Sequence, residues 1–233
     1  MEVKLSIKIL DYCNYTFIIS ERSVFIMKDK LIIIGASGHG KVVADIAIKM
    51  NNWQNIAFLD DNESIKTSMG LEVIGKTADA FIYKDKADLF VAIGNNAVRE
   101  KVQEKLIEEG LNVVSLIHPS VVIGTDVEMG IGTVVMAGVV INSSTRIGKG
   151  CIINTSSGLD HDNVIEDYVH ISPGVNLAGT VRVGKRSWLG VGSVVSNNVN
   201  ICSGCKVGAG AVVVKNITEP GTYVGVPVRR VDR

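Results

Sequence analysis

The chain has 233 residues, enough for one large or two modest domains, each with its own core. Its 24 lysines and arginines balance its 24 aspartates and glutamates, which argues against a partner such as nucleic acid or a charged membrane surface. Four cysteines are too few and too uneven for a disulfide scaffold, and no apolar run approaches the roughly 20 residues that span a bilayer, so a reduced, cytoplasmic setting without membrane insertion is expected.

The first 26 residues lack the order of basic end, apolar centre and small-residue cleavage site that marks a signal peptide. Met27 opens "MKDKLIIIGASGHG", which reads as the natural start of a first strand. Codons for Glu21-Arg22-Ser23 can form a purine-rich ribosome-binding sequence just upstream of it. Residues 1–26 are therefore read as a leader outside the native protein, with an added edge strand as the alternative.

Residues 27–116 alternate strand and helix signals. "KLIIIG" is the short apolar run of a buried parallel strand, and "GASGHGKVVADIAIKM" supplies a glycine turn and an amphipathic helix. "NIAFLDD" and "ADLFVAIGNN" read as further strands, followed by the charged helix "AVREKVQEKLIEEG", ended by Gly110, and by "LNVVSLI" as a closing strand. The order implies a small Rossmann-like α/β half domain.

From Ile117 to Thr218 the period changes to six, from IHPSVV and IGTDVE through to VVKNIT, with residues 219–233 left as a tail. Position one of all 17 hexads is Ile, Leu, Val or Met, position five is mostly small or β-branched, and position four is often Gly or Asn, as tight left-handed corners favour. Such regularity implies a parallel β-helix with three hexads per triangular coil, positions one and five inward, and residues 18 apart stacked at about 4.8 Å.

Two sites stand out against this background. Gly35, Gly38 and Gly40 follow a strand and open a helix, so their peptide groups can approach a phosphate or ribose, with Asp60 about 20 residues on. Their spacing differs from the dinucleotide fingerprint, and a tight packing turn is the plain alternative. In "INTSSGLDHDNVIED", His161 stands at the outward third position of its hexad, with Gly179 stacked above it one coil on. An acyl transfer from a thioester needs a base for the attacking group and a donor for the oxyanion, and these two residues can provide them. Asp162, and Asp160 beside it, can orient the ring; an exposed turn histidine without a role is the alternative. Val191 and Ala209 are third-position residues 18 apart, whose stacked backbones can line a pantetheine arm. The lone Cys202-Ser203-Gly204-Cys205 has no second pair, Cys205 faces inward by register, and no metal is expected. Ser157 also points inward, which favours direct transfer over a covalent acyl-enzyme.

Hexads of this kind resemble those of the left-handed β-helix acyltransferases, which assemble as trimers. With both halves considered, "IIIGASGHGKVV", "FLDD", "AIGNN", "LIHPS", "INTSSGLDHD", "VHISPG", "LAG", "WLG" and "GVPVRR" occur in order over residues 27–231. Together they resemble the bacterial sugar acetyltransferase family of UDP-4-amino-sugar (bacillosamine-pathway) N-acetyltransferases, perosamine N-acetyltransferases and sialic acid O-acetyltransferases. The resemblance implies an acetyl-coenzyme A-dependent N-acetyltransferase acting on a nucleotide-linked 4-amino-sugar, with sialic acid O-acetylation as the alternative. It implies a general base at His161, a carboxylate partner at Asp162 where the best-matched relatives carry Glu, and an active-site amide at Asn154. It further implies acetyl-coenzyme A contacts at His170, Val191 and Ala209, and a nucleotide-sugar site at Ser37, Gly38, His39, Asp60, Asp61 and Gly94. Asn154 lies on a different corner from His161, so active sites between subunits of a homotrimer are expected. Two further rivals are a γ-type carbonic anhydrase, for which His118, His161 and His170 lack the expected close pair, and a nucleotide-binding structural trimer.

Overall fold

The computed structural model describes residues 11–12, 15–16 and 29–231. The reading of residues 1–26 as a leader falls outside the described residues, apart from Asp11–Tyr12 and Tyr15–Thr16, which pair antiparallel with each other.

Strands Lys30–Ile34, Asn55–Leu59 and Asp88–Val91 form a parallel sheet with the first in the centre. Leu31, Ile32, Ile33 and Ile34 are all fully buried because both faces of the sheet are covered. Helix α1 (Gly38–Met50) covers one face, on which Leu31, Ile33 and Phe58 pack with Val43, Ala44 and Ala47. A 3-10 turn at Thr77–Tyr83 and helix α2 (Asn96–Glu108) cover the other, with Ala80 and Leu106 against Ile32, Leu59 and Val91. The Asn95 side chain caps α2 by accepting from the Ala97 and Val98 N–H groups at 3.1 Å, and Gly110 ends it at a φ of 74°.

The expected closing strand "LNVVSLI" divides instead. Val113 makes only an isolated bridge to Leu89, while Leu116–Ile117 pairs with Val134–Val135 and belongs to the second half. The short hairpin of Thr67–Ser68 and Leu71–Glu72 is an added element, with no clear apolar alternation to announce it.

The hexads form a three-faced parallel β-helix whose sheets have eight, six and five strands, the largest extended by Thr222–Val224 and Arg229–Val231. Partners are 18 residues apart, as in His170 beside Trp188. Positions one and five fill the interior: Ile171, Leu177, Val183 and Leu189 from the first, Val175, Val181 and Cys205 from the second. Polar residues at position five are buried too, and Thr133, Thr145, Asn163 and Ser187 each accept the peptide N–H one coil on. Thr133 takes that of Cys151 at 3.0 Å and Asn163 that of Val181 at 2.7 Å. Every position-four residue from Asp126 to Gly210 has positive φ, including Tyr168, Thr180 and Arg186, so coil closure imposes the left-handed corner whatever the side chain.

One outward column determines where the halves meet. Position-six residues on the eight-stranded face run Leu116, Val134, Ile152, His170, Trp188 and Lys206. The first three are fully buried in the cluster shared with α1 and the parallel sheet. The cover stops at His170, and Trp188 beyond it is 41% exposed. The apolar seam therefore ends at His170, which is itself only 9% exposed. Ile171 lies directly inside it with no exposed surface, and Ile171→Ala should lower the unfolding free energy by about 2–5 kcal/mol, read as a lower urea midpoint.

Candidate active site

His161 stands on the corner between the six- and five-stranded faces, between strands Gly158–Leu159 and Val164–Ile165. Its Nδ1 lies 2.7 Å from Asp162 Oδ2, so the contact is made on the shorter aspartate arm. Its peptide N–H donates to Asp160 Oδ1 at 2.9 Å, and Asn142 donates to the same oxygen at 2.8 Å. An ionised carboxylate only accepts, so Asp162 holds the neutral ring with its proton on Nδ1 and its lone pair on Nε2. The hydrogen bond to Asp162 raises the His161 pKa, with the Asp160 charge adding to it. The ring packs closely against Gly179: a Cβ there would stand 2.5 Å from Cε1 and 2.6 Å from Nε2. Among the described residues the Gly179 N–H has no hydrogen-bond partner.

A second cluster gathers where the two halves meet. His170 is 9% exposed, stacks on Trp188 with centroids 5.0 Å apart, and has its Nε2 3.3 Å from Asn154 Nδ2. Trp188 is fixed in turn by donating from Nε1 to the Ser172 hydroxyl at 2.7 Å. Burial holds the His170 pKa down at about 3, with the Arg99 and His39 charges acting the same way. His39 has its pKa held at about 4, again by burial first and Arg99 second. Among the described residues His39 Nε2 and His170 Nδ1 are both buried without a hydrogen-bond partner, which leaves each open to a water or a ligand. The structure thus groups Asn154 with His170, one face away from His161. Asn154–His170, Ser172–Trp188 and Glu166–Arg182 are each 16 residues apart, a position-two to position-six diagonal that could have been read from the hexads.

The glycine loop divides into packing and open parts. A Cβ on Gly40 would collide with the Gly35 carbonyl, whereas one on Gly38 would meet nothing within 4 Å. Gly40 thus serves the turn, and Gly38, first residue of α1, leaves the helix N-terminus open to an anion. Ser37 at the N-cap makes no side-chain capping bond, so its hydroxyl is free for a ligand. Asp60 holds the loop, accepting the Ala36 N–H at 2.7 Å and the Asn62 N–H at 2.8 Å. Asp61 accepts the Thr77 N–H at 2.9 Å, and the Gly94 carbonyl accepts from Arg99 at 3.1 Å.

Val191 and Ala209 occupy the corner between the eight- and six-stranded faces, stacked through the 2.8 Å bond from Gly210 N–H to the Val191 carbonyl. Among the described residues neither Val191 nor Ala209 has a partner for its own N–H, so two donors face outward on successive coils. The six-stranded face thus has the His161 corner on one edge and the Val191 corner on the other. Its outward column includes Val122 and Val140, 51% and 41% exposed, and Val194. Among the described residues no three His, Cys, Asp or Glu side chains are placed to hold a metal ion, and no helix is long and apolar enough to cross a membrane.

Residues 30–106 match the family described as the PglD N-terminal domain. The chain is 30% identical over 172 residues to the GDP-perosamine N-acetyltransferase of Escherichia coli O157:H7, covering 72% of this chain and 78% of that one. It is similar to the acetyltransferase domain of PglB from Neisseria gonorrhoeae FA1090 in complex with acetyl coenzyme A, at 36% identity and a TM-score of 0.85, covering 88% of this chain and all of that domain. It is also similar to a perosamine N-acetyltransferase variant from Caulobacter crescentus in complex with CoA and GDP-perosamine, at 36% identity and a TM-score of 0.84, covering 88% and 97%. These likenesses assign the β-helix to the left-handed acetyltransferase class.

Because the folded pKa of His161 is raised, its partnership with Asp162 stabilises the fold fully below the unfolded pKa and is lost as pH rises through the folded one. Asp162→Asn should move the His161 titration midpoint to lower pH in ring-proton NMR; an unmoved midpoint would remove Asp162 as the partner.

Proposed function

The chain belongs to the bacterial sugar acetyltransferases built on hexapeptide repeats, and from that premise we propose that it transfers acetyl from acetyl-coenzyme A to the amino group of a UDP- or GDP-linked 4-amino-sugar, in the making of a surface glycan. The observation that carries this reading is the His161 ring itself, tethered at Nδ1 by Asp162, packed against Gly179, with Nε2 left to take a proton.

The α/β half would hold the nucleotide sugar, with Ser37 and Gly38 at the open end of α1 meeting the phosphates and His39 beside them. Asp60 and Asp61 would flank the nucleoside while holding their loops. The N–H groups of Val191 and Ala209 suit the carbonyls of a pantetheine arm running along the coil axis. His170 and Asn154, kept neutral and only partly satisfied, suit the acetyl end of the thioester.

In the reaction, the sugar amine attacks the thioester carbonyl while His161 Nε2 takes its proton. A carbon–nitrogen bond forms, the oxyanion is received by the Gly179 N–H, and the carbon–sulfur bond breaks as the proton passes to the departing thiolate. General-base and oxyanion contributions together account for a barrier reduction of several kcal/mol.

Assembly follows from the two edges of one face. His161 and the Val191–His170 set are a face apart within one chain, so a complete site needs one edge of a subunit against the other edge of its neighbour. In a heterologous, ring-closing arrangement this face would meet its neighbour with exposed Val122 and Val140 towards one end of its column and Val194 towards the other. We infer a homotrimer with three shared sites.

His161→Ala should lower turnover by about 10²–10⁴-fold in a free-thiol release assay while acetyl-coenzyme A still binds. Unchanged turnover would remove the base. Gly179→Ala should lose activity comparably with the fold intact by circular dichroism, because its methyl group takes the space of the ring. Thiol release with free sialic acids but with no UDP- or GDP-4-amino-sugar would replace N-acetylation by O-acetylation.

A further inference from the structure

Arg99 has no exposed surface, and burial lowers its guanidinium pKa to about 10. Among the described residues it forms no ion pair within reach; its hydrogen bonds go to neutral oxygens. Nε donates to the Gly150 carbonyl at 2.7 Å and Nη2 to the Tyr168 carbonyl at 3.2 Å, both on corners of the β-helix. Nη1 donates to the Ile93 and Gly94 carbonyls at 2.9 and 3.1 Å, in the loop that ends strand Asp88–Val91. Nη2 also donates to Asn96 Oδ1 at 2.8 Å.

A buried cation held only by carbonyls is a costly way to join two surfaces, since an apolar side chain of similar size would avoid the desolvation. Docking of α2 is also well provided for without it. Glu100 pairs with Lys185 at 2.8 Å and with Arg186, and Glu104 pairs with Lys149 at 2.8 Å and accepts from the Tyr168 hydroxyl at 2.8 Å. Asn96 donates to the Arg186 and Ser187 carbonyls. What Arg99 alone does is tie the Ile93–Gly94 loop, just ahead of its own helix, to the β-helix corners at Gly150 and Tyr168. One rigid planar group fixes that loop to the coil turn from which His170 follows two residues after Tyr168. Tyr168 is itself in the left-handed conformation, φ 58°, a geometry this bulky residue adopts only where its surroundings dictate it.

We propose that Arg99 is a positioning residue for the transfer: it sets the Ile93–Gly94 loop, and the sugar end of the nucleotide substrate beside it, at a fixed distance from His170. The inference rests on the function proposed above and adds a group that touches neither substrate. Lysine keeps the charge but cannot span both pairs of carbonyls from one planar head.

The test compares Arg99→Lys with Glu100→Gln in the full chain. Arg99→Lys should raise KM for the nucleotide amino-sugar by about tenfold or more and lower kcat by up to about a hundredfold, with KM for acetyl-coenzyme A within about twofold of wild type. Glu100→Gln should lower the melting temperature with both KM values kept. A purely structural Arg99 would instead give a lowered melting temperature with both KM values unchanged or raised together, and that result overturns the proposal. If Arg99→Lys does not fold, Arg99→Gln is read by the same criteria; failure of both to fold also overturns it. Wild-type protein that releases no thiol with any nucleotide 4-amino-sugar defeats the functional reading separately. Calorimetric affinity for UDP and GDP then still decides. Weaker binding in Arg99→Lys but not in Glu100→Gln supports the loop role; equal affinities, or no binding by the wild type, overturn it.

Discussion

The packing of α1 against Leu116, Val134 and Ile152 is the contact from which the rest of the arrangement follows. These side chains occupy an outward position of the coil, where a free-standing β-helix would be wet. Three successive apolar residues in that column make the face adhesive, and the fourth, His170, ends the adhesion. The α/β half is thereby seated at a fixed height on the coil axis, with Arg99 joining the Gly94 carbonyl to the Tyr168 carbonyl just before the His170 rung. Coil stacking turns a sequence interval into a position along an axis, so the site's place is determined by where the apolar column stops.

That column was only partly legible in the sequence. The hexad period revealed the β-helix because position one must be apolar on every rung, and hardly any other architecture demands an apolar residue at every sixth place for so long. His161 was legible because an imidazole under a glycine 18 residues on is an oddity in a wall of aliphatic turns, and the structure puts the ring over that glycine. Less was legible wherever two columns or two domains meet. Asn154 reads with the His161 set, yet its partner is His170, through a diagonal that skips 16 residues rather than 18. Arg99 reads as one charge among many on a polar helix, since nothing local says that a cation faces carbonyls. Nor do Tyr168, Thr180 and Arg186 look like left-handed corners; closure of the coil overrides their local preference.

The histidines are tuned in opposite directions by their surroundings. At the outer corner, two aspartates around an exposed ring favour proton uptake by His161. Where the halves meet, burial and the Arg99 charge keep His39 and His170 neutral, so each can donate or accept a hydrogen bond without competing for a proton. Under the proposed reaction this separation suits proton transfer: one group whose basicity is raised, and others, supplied across a subunit contact, that polarise without titrating. It also explains the value of Asp162 in the left-handed corner conformation, φ 57°, which brings its short arm to within 2.7 Å of Nδ1.

Under the proposed reaction, the basic and the neutral halves of this chemistry lie on opposite edges of a single six-stranded face. A monomer then has every residue type it needs and no complete site. In the homotrimer proposed above, each subunit would offer one edge of this face to the other edge of its neighbour. Val122, Val140 and Val194 on that face would then bear on catalysis, since the contact they support would bring His161 to donors that lie a face away in its own chain.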